Sequence, residues 1–415
     1  MKLLFIACLL FLTSHICGES IVEKNFKFAQ IQLNFALKNI ETSRANNQES
    51  FNHFALVSPR TVDTNGSLRL VRSSDWTSGF FPGELWYMYE YTQDDFWKRK
   101  AQESTMLLEK EQWNGKTHDM GFKMYCSYGN GFRLTQDKNY RKILIQSAKT
   151  LSSRFNKNTG CIRSWDKKSD KWSFPVIIDN MMNLELLFWA TKETGDSTYY
   201  KMAVSHAKAT AKNHFRNDFS SYHVVDYDTI TGKFIHRMTY QGFADASAWS
   251  RGQAWGLYGF TMCYKETRNP EFLEQAKHIY SFIFSHPNLP NDLIPYWDFN
   301  APNIPKEPRD VSAATVTASA LYELSLFDKV NAALYIKKAD MILKSLTQNY
   351  RAQKNTNGGF LLLHSTGSKP ANLEVDMPIV YADYYFLEAL LRKQQLEKMR
   401  WIQKKTISEL PIKGT

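Results

Sequence analysis

The sequence predicts an all-α fold, a single six-hairpin α/α toroid with about twelve helices in a double ring. Three observations predict it. Apolar residues recur at helical spacing through most of the chain. Amphipathic helical segments alternate with segments that are apolar or small on every side. An aspartate stands just before each of the latter at a repeating interval.

Taken in order, residues 1–18 read as an export signal, with Lys2 as the positive start and an unbroken apolar run over residues 3–12. Ten residues are too few to span a bilayer. Removal of this segment leaves residues 19–415 as one toroidal catalytic domain exported to the periplasm, with a lipid anchor at Cys17 as the alternative. No later stretch is apolar for 18 residues, so no transmembrane segment is expected, and no Pro/Gly/Ser-rich linker divides the chain.

Four amphipathic helices of the outer type follow from one-face periodicity: Tyr140, Ile143, Leu144, Ala148, Leu151 and Phe155; Tyr199, Ala203, His206 and Ala207; Phe272, Ala276, Ile279 and Ile283; Tyr335, Ala339, Ile342 and Leu346. Between and around them, residues 180–190, 246–260, 313–326 and 379–391 read as buried inner helices. The aspartates before the inner segments are Asp75, Asp119, Asp179, Asp245, Asp310 and Asp376, at intervals of 44, 60, 66, 65 and 66 residues. Inner helix followed by outer helix, six times, closes into a ring. Each aspartate has a plain role as a helix cap. If the six helix starts share one rim, however, their carboxylates also converge on one pocket.

The 415 residues are 43% apolar and 14% aromatic, which suits a large core and a ligand with flat or ring-shaped faces. A net charge of +11 favours anionic partners. Export argues against nucleic acid among them. Outside the signal, Cys126, Cys161 and Cys263 are odd in number and far apart, and read as buried thiols. The chain has no P-loop, HExxH, GxSxG or GxGxxG motif. Asp226 and Asp228 in DYDTITG lack the further ligands of a calcium loop and read as a hairpin turn. What remains among enzymes is acid/base chemistry by carboxylates.

Two aspartates stand out, Asp119 in HDMGF and Asp179 in IIDNMMN. Two carboxylates across a sugar-sized gap suit glycosidic chemistry, because apolar walls and a neighbouring charge keep a proton on one of them. The segments DWTSGFFPG and AWSRGQAWG supply Trp76, Trp249 and Trp255 as stacking faces and Arg251 as a cation.

The ordered set DWTSGFFPGELW, HDMGF, IIDNMMNLELLFWA, YHVVDYD, TYQGFADASAWSRGQAWGLYGF and YADYYFLEAL, spanning residues 75–391, resembles the unsaturated glucuronyl hydrolases of glycoside hydrolase family 88. The resemblance implies a six-hairpin α/α toroid. It also implies removal of the 4,5-unsaturated uronic acid that polysaccharide lyases leave at the non-reducing end of glycosaminoglycan fragments. By motif, Asp179 would be general acid and base, and Asp119 its partner. His223, Gln241, Arg251 and Trp255 would bind the unsaturated ring and its carboxylate, with Trp76 and Trp249 lining the pocket. Ser365, Ser368 and Lys369, in HSTGSKP, match the region used by members that accept sulfated substrates, although the family pattern is broken around Leu373, Glu374 and Val375.

The chemistry is physically coherent. An unsaturated uronate is a vinyl ether, so protonation at carbon 4 gives oxocarbenium character at carbon 5, water adds there, and the hemiketal collapses to an open keto acid. One carboxyl can serve both proton transfers, and an arginine can match the substrate carboxylate with two parallel bonds. No metal or organic cofactor is required. Two alternatives stand beside this reading: an unsaturated rhamnogalacturonyl hydrolase acting on pectin fragments, and a non-catalytic glycan-binding toroid. YHVV and SRGQAW favour the glucuronyl type over the first, and the retention of both Asp119 and Asp179 argues against the second.

Overall fold

The computed structural model describes residues 19–46, 56–166 and 171–408. The export signal and Cys17 lie outside the described residues. Helices occupy most of the chain: α1 (Ile21–Asn46), α2 (Phe80–Thr92), α3 (Asp95–Met106), α4 (Asn130–Thr135), α5 (Lys138–Ser152), α6 (Leu184–Thr194), α7 (Ser197–Asn213), α8 (Ser250–Thr267), α9 (Pro270–Ser285), α10 (Val311–Leu324), α11 (Ala332–Ser345) and α12 (Val380–Ser408). A π-helical segment, Gly121–Gly129, runs directly into α4, and a 3₁₀ turn, Ile178–Asn183, runs directly into α6.

The inner ring comprises α2, the Gly121–Thr135 segment, the Ile178–Thr194 segment, α8, α10 and α12, each packed on the next, with α12 returning to α2 to close the circle. Its helices are buried on all sides where the sequence lacks a polar stripe. Every residue of α10 is buried, as is α8 from Ser250 to Cys263. The outer helices α5, α7, α9 and α11 bury the apolar faces expected of them, including Ile143 and Leu144, Ala203 and His206, Ala276 and Ile279, and Ala339 and Ile342.

One connection differs from the expected order. The outer partner of α12 is α1, which packs on both α12 and α2. The chain therefore starts with the outer half of the hairpin that its last helix completes, and the ring is closed by the two ends of the sequence.

Capping also falls elsewhere than expected. The aspartates with ordinary cap bonds begin outer helices: Asp94 accepts from Phe96 N (2.8 Å), Asp137 from Asn139 N (2.7 Å) and Asp196 from Thr198 N (2.8 Å). Of the six inner-helix aspartates, Asp310 is the helix N-cap, accepting from Ser312 N (3.1 Å).

Short antiparallel hairpins decorate the ring. They are β1 (Leu56–Val62) with β2 (Leu68–Arg72), β3 (Phe155–Asn156) with β4 (Cys161–Ile162), the sheet of β5 (Pro175–Ile177), β6 (Val224–Tyr227) and β7 (Phe234–Met238), and β8 (Ser365–Ser368) with β9 (Leu373–Met377). The turn joining β6 and β7 is closed by Asp228, which accepts from Ile230 N and Thr231 N. Cys126, Cys161 and Cys263 are buried free thiols.

Candidate active site

The inner helices begin at one end of the ring, and that end carries the candidate residues. Asp179 stands on the 3₁₀ turn between β5 and α6. Strand register sets its neighbour: β5 pairs with β6 so that Ile177 opposes Val224, and Ile178 N donates to His223 O (3.1 Å). This pairing brings His223 Nε2 to 3.7 Å from Asp179 Oδ2.

The two side chains do not form an ion pair. Burial, reinforced by Arg251, holds the His223 imidazole well below its ordinary pKa, so the ring is neutral. Its Nδ1 accepts backbone N–H bonds from Tyr240 and Gln241, both at 3.1 Å, which places the ring proton on Nε2. That N–H faces Asp179.

Burial, helped by the nearby Asp119 charge and opposed by Arg251, pushes the Asp179 carboxyl up to about 7. Asp179 Oδ2, His223 Nε2 and Trp255 Nε1 are all buried and make no hydrogen bond of good geometry, although Trp255 stands near enough to the Asp179 carboxyl to lower its proton affinity. Leaving three such groups unmet in one place is costly for a folded protein. Together they form a polar cleft fitted to a substrate oxygen or water.

Asp119 precedes the π-helical segment. Its carboxylate accepts from Thr117 Oγ1 (2.6 Å) and lies 3.3 Å from His118 Nε2, and burial holds that imidazole below its usual pKa. Gly121 follows two residues later, and a Cβ there would stand 2.6 Å from Asn183 Cα, so glycine is needed for the two carboxylate-bearing segments to meet. As the first two residues of the π-helical segment, Gly121 and Phe122 have N–H groups without an intrahelical acceptor, and these donate to Asn183 Oδ1 at 2.8 and 3.1 Å.

Aromatic walls surround the pair. Trp76 packs against Phe80, Phe122 and Tyr381, while Trp255 packs against Phe122 and Tyr385. Trp249 lies 4.7 Å from the His223 ring. The structure adds a wall that the sequence reading missed: Trp165 stands 5.8 Å from His223 and 5.4 Å from Tyr240, with Trp172 behind it at 5.3 Å. Its one sequence signal is a pair of tryptophans flanking a charged loop, which by itself resembles any surface turn.

Arg251 also has partners within the protein. Its guanidinium is buried, and both terminal nitrogens are committed, Nη1 to Asp310 Oδ2 and Thr366 O, and Nη2 to Gly367 O. These bonds use three of the five guanidinium N–H groups, and Nε–H with the second Nη2–H is what Arg251 has left for a substrate carboxylate. Arg251 thereby ties the β8–β9 hairpin to the start of α10, and it supplies positive potential at Asp179. The expected convergence of all six aspartates is corrected on the same grounds: Asp310 is spent on Arg251, Asp75 on Arg60 (2.9 Å), Asp245 on Thr239 N (2.7 Å) and Asp376 on His364 (2.7 Å). Only Asp119 and Asp179 of the six remain with the cleft.

Gln241 reaches the same hairpin, with Nε2 donating to Gly367 O (3.2 Å). The hydroxyls of Ser365 and Ser368 on β8 are buried without partners, and Lys369 lies exposed in the turn that follows. A separate cavity of about 240 Å³ lies among the opposite ends of the inner helices. Its charges satisfy one another, Lys265 standing 3.2 Å from Glu185 and 3.1 Å from Glu323, and Arg392 3.3 Å from Glu323, so the chemistry belongs at the Asp179 end.

A sequence model of Glycosyl Hydrolase Family 88 matches residues 50–392. An unsaturated glucuronyl hydrolase of Formosa agariphila is 53% identical over 79% of this chain and 82% of its own. An unsaturated chondroitin disaccharide hydrolase of Streptococcus pneumoniae is 33% identical over 80% and 85%, respectively. A crystal structure of an unsaturated glucuronyl hydrolase specific for heparin superposes with a TM-score of 0.86 at 47% identity, covering 92% of this chain and 99% of its own.

Proposed function

The chain belongs to Glycosyl Hydrolase Family 88, and from that premise we propose that it removes the 4,5-unsaturated uronic acid from the non-reducing end of lyase-generated glycosaminoglycan oligosaccharides by hydrating the vinyl ether double bond. It is a glycoside hydrolase of the unsaturated glucuronyl type. The observation that carries the residue-level mechanism is the orphaned, buried Asp179 Oδ2 with its carboxyl pushed up to about 7. A carboxyl with that affinity holds a proton through the mildly acidic range and can deliver it to carbon 4.

The resulting carboxylate, stabilised by the charge of Arg251, then takes a proton from the water that attacks carbon 5. His223 Nε2–H, fixed as a donor, orients that water or a ring oxygen beside Asp179. Asp119, with a hydroxyl bond already supplied by Thr117, holds substrate hydroxyls and keeps Asp179 reluctant to ionise. Trp76, Trp249 and Trp255 close the cleft on the ring. The unmet hydroxyls of Ser365 and Ser368, with Lys369 beside them, support a role in binding a substrate sulfate.

In the same reading, residues 19–415 act as one catalytic domain exported to the periplasm after loss of residues 1–18. The relatives point to more than one glycosaminoglycan, one structure being specific for heparin and one relative being named for chondroitin disaccharides. The test is a panel of unsaturated heparin, chondroitin and hyaluronan disaccharides, followed by loss of the enoate absorbance. Turnover of at least one is expected, and binding of every disaccharide without turnover would favour a glycan-binding toroid.

A further inference from the structure

The aromatic wall beside His223 continues outward and ends in a cation. Trp165 meets Tyr240 edge-on, Trp172 meets Tyr240 at 5.7 Å, and Lys171 Nζ lies 4.9 Å from the Trp172 ring centre and 5.9 Å from that of Tyr240. Trp172 is itself anchored by Nε1 to the Met238 sulfur of β7 (2.9 Å). Lys171 is exposed, and among the described residues it makes no ion pair. Among the described residues its contacts are the two rings, which attract the ammonium without using its hydrogen-bonding directions.

The direction of this ladder matters. Asp179 is 3.7 Å from His223, and His223, Trp165 and Tyr240 follow one another outward at ring separations of 5.8 and 5.4 Å. A saccharide whose unsaturated ring reacts at Asp179 therefore carries its next residue along Trp165 toward Tyr240. At the end of that path, exposed Tyr240 and Lys171 offer an apolar face and a positive charge together.

We propose that Lys171, held over Trp172 and Tyr240, is a specificity-determining residue that binds an anionic group on the saccharide attached to the unsaturated uronate. This rests on the reaction proposed above. The ligand chemistry is a sulfate or carboxylate oxygen, from a sulfate ester on the adjacent residue or from the next uronate of a longer chain. It is a second anion contact, carried by a different loop from Ser365, Ser368 and Lys369.

The experiment compares Lys171→Gln and Lys171→Arg with the unaltered protein on three unsaturated substrates: an unsulfated disaccharide, the same disaccharide sulfated on its second residue, and an unsulfated tetrasaccharide. The readout is the ratio of kcat/KM for each anionic or longer substrate to that for the unsulfated disaccharide. A partly exposed charge contact predicts a fall in that ratio on the order of fivefold in Lys171→Gln, with Lys171→Arg within about twofold of the unaltered protein. A fall for the sulfated disaccharide assigns the anion to a sulfate ester, and a fall for the tetrasaccharide assigns it to a uronate carboxylate. If neither ratio moves, or if the arginine variant falls as far as the glutamine variant, the proposal is overturned. Failure of the unaltered protein to turn over any of the three would instead overturn the reaction itself.

Discussion

Asn183 Oδ1 accepts the backbone N–H groups of Gly121 (2.8 Å) and Phe122 (3.1 Å), and so fastens the turn that carries Asp179 to the π-helical segment that follows Asp119. The placement of the two carboxylates thereby depends in part on one amide side chain. Asn183→Ala should strand two buried N–H groups, at a cost of about 2–4 kcal/mol. It should also lower kcat by at least about tenfold with a smaller change in KM, since positioning rather than binding is lost. Thermal melting and steady-state kinetics check both effects. Asn183→Asp retains the acceptor and should fold better than Asn183→Ala.

Asp179→Asn should abolish turnover, because an amide of the same shape cannot deliver the proton. Its effect on stability has a sign. The folded-state affinity of Asp179 is raised to about 7 from an ordinary carboxyl value of 3.8, so its contribution is greatest below pH 3.8 and is lost as pH climbs through 7. The variant should therefore gain on the unaltered protein as pH rises, by a few degrees in Tm at pH 8 relative to pH 5. Equal Tm differences at the two pH values would show that burial does not raise this carboxyl.

The same shift predicts the rate profile. For the unaltered protein, kcat/KM should fall on the alkaline side with an apparent pKa near 7, as Asp179 loses the proton that carbon 4 requires. Asp119 contributes to that affinity by charge, so the residual activity of Asp119→Asn, reduced by orders of magnitude, should show its alkaline limb at lower pH. A limb that stays in place would separate Asp119 from the proton affinity of Asp179.

Arg251→Lys separates charge from geometry. A lysine preserves the positive potential at Asp179 but cannot span Asp310 and the carbonyls of Thr366 and Gly367 at once. The alkaline limb should remain near 7, while kcat/KM falls at least about tenfold and residues 365–377 exchange amide hydrogens faster. Unchanged exchange in that hairpin would remove the tie between α8, α10 and β8.

These relationships mark where the sequence could be read and where it could not. The inner and outer helices were legible because α5, α7, α9 and α11 carry single apolar faces, whereas α8 and α10 carry none. The pairing of α1 with α12 was not, since amphipathicity says which face is buried and nothing about which end of the chain covers it. Asp119 and Asp179 were visible by type and surroundings. The employment of Arg251 was hidden, because its partners Asp310 and Gly367 lie 59 and 116 residues away. Strands of two to seven residues carry too little alternation to be told from loops, so the register that brings His223 to Asp179 was out of reach.

The strongest test of mechanism follows the fate of one proton. A conventional glycosidase protonates the bridging oxygen and attacks the anomeric carbon, so deuterium reaches carbon 4 only afterwards, in solution and on either face, as the freed unsaturated sugar opens to an enol and ketonises. A single carboxyl of raised affinity, with a neutral histidine donor beside it, is suited instead to delivering a proton to carbon and then activating water. In deuterium oxide, Asp179 exchanges its proton with solvent before the substrate reacts, so the keto-acid product should carry deuterium on one face of carbon 4. NMR of the product during the first turnovers would show it on one face of carbon 4 alone, whereas ketonisation in solution labels both. Saturated glucuronides should be inert, because they offer no alkene to protonate. Rapid cleavage of a saturated glucuronide, or a product labelled equally on both faces of carbon 4, would return Asp119 and Asp179 to the roles of acid and nucleophile at the anomeric centre.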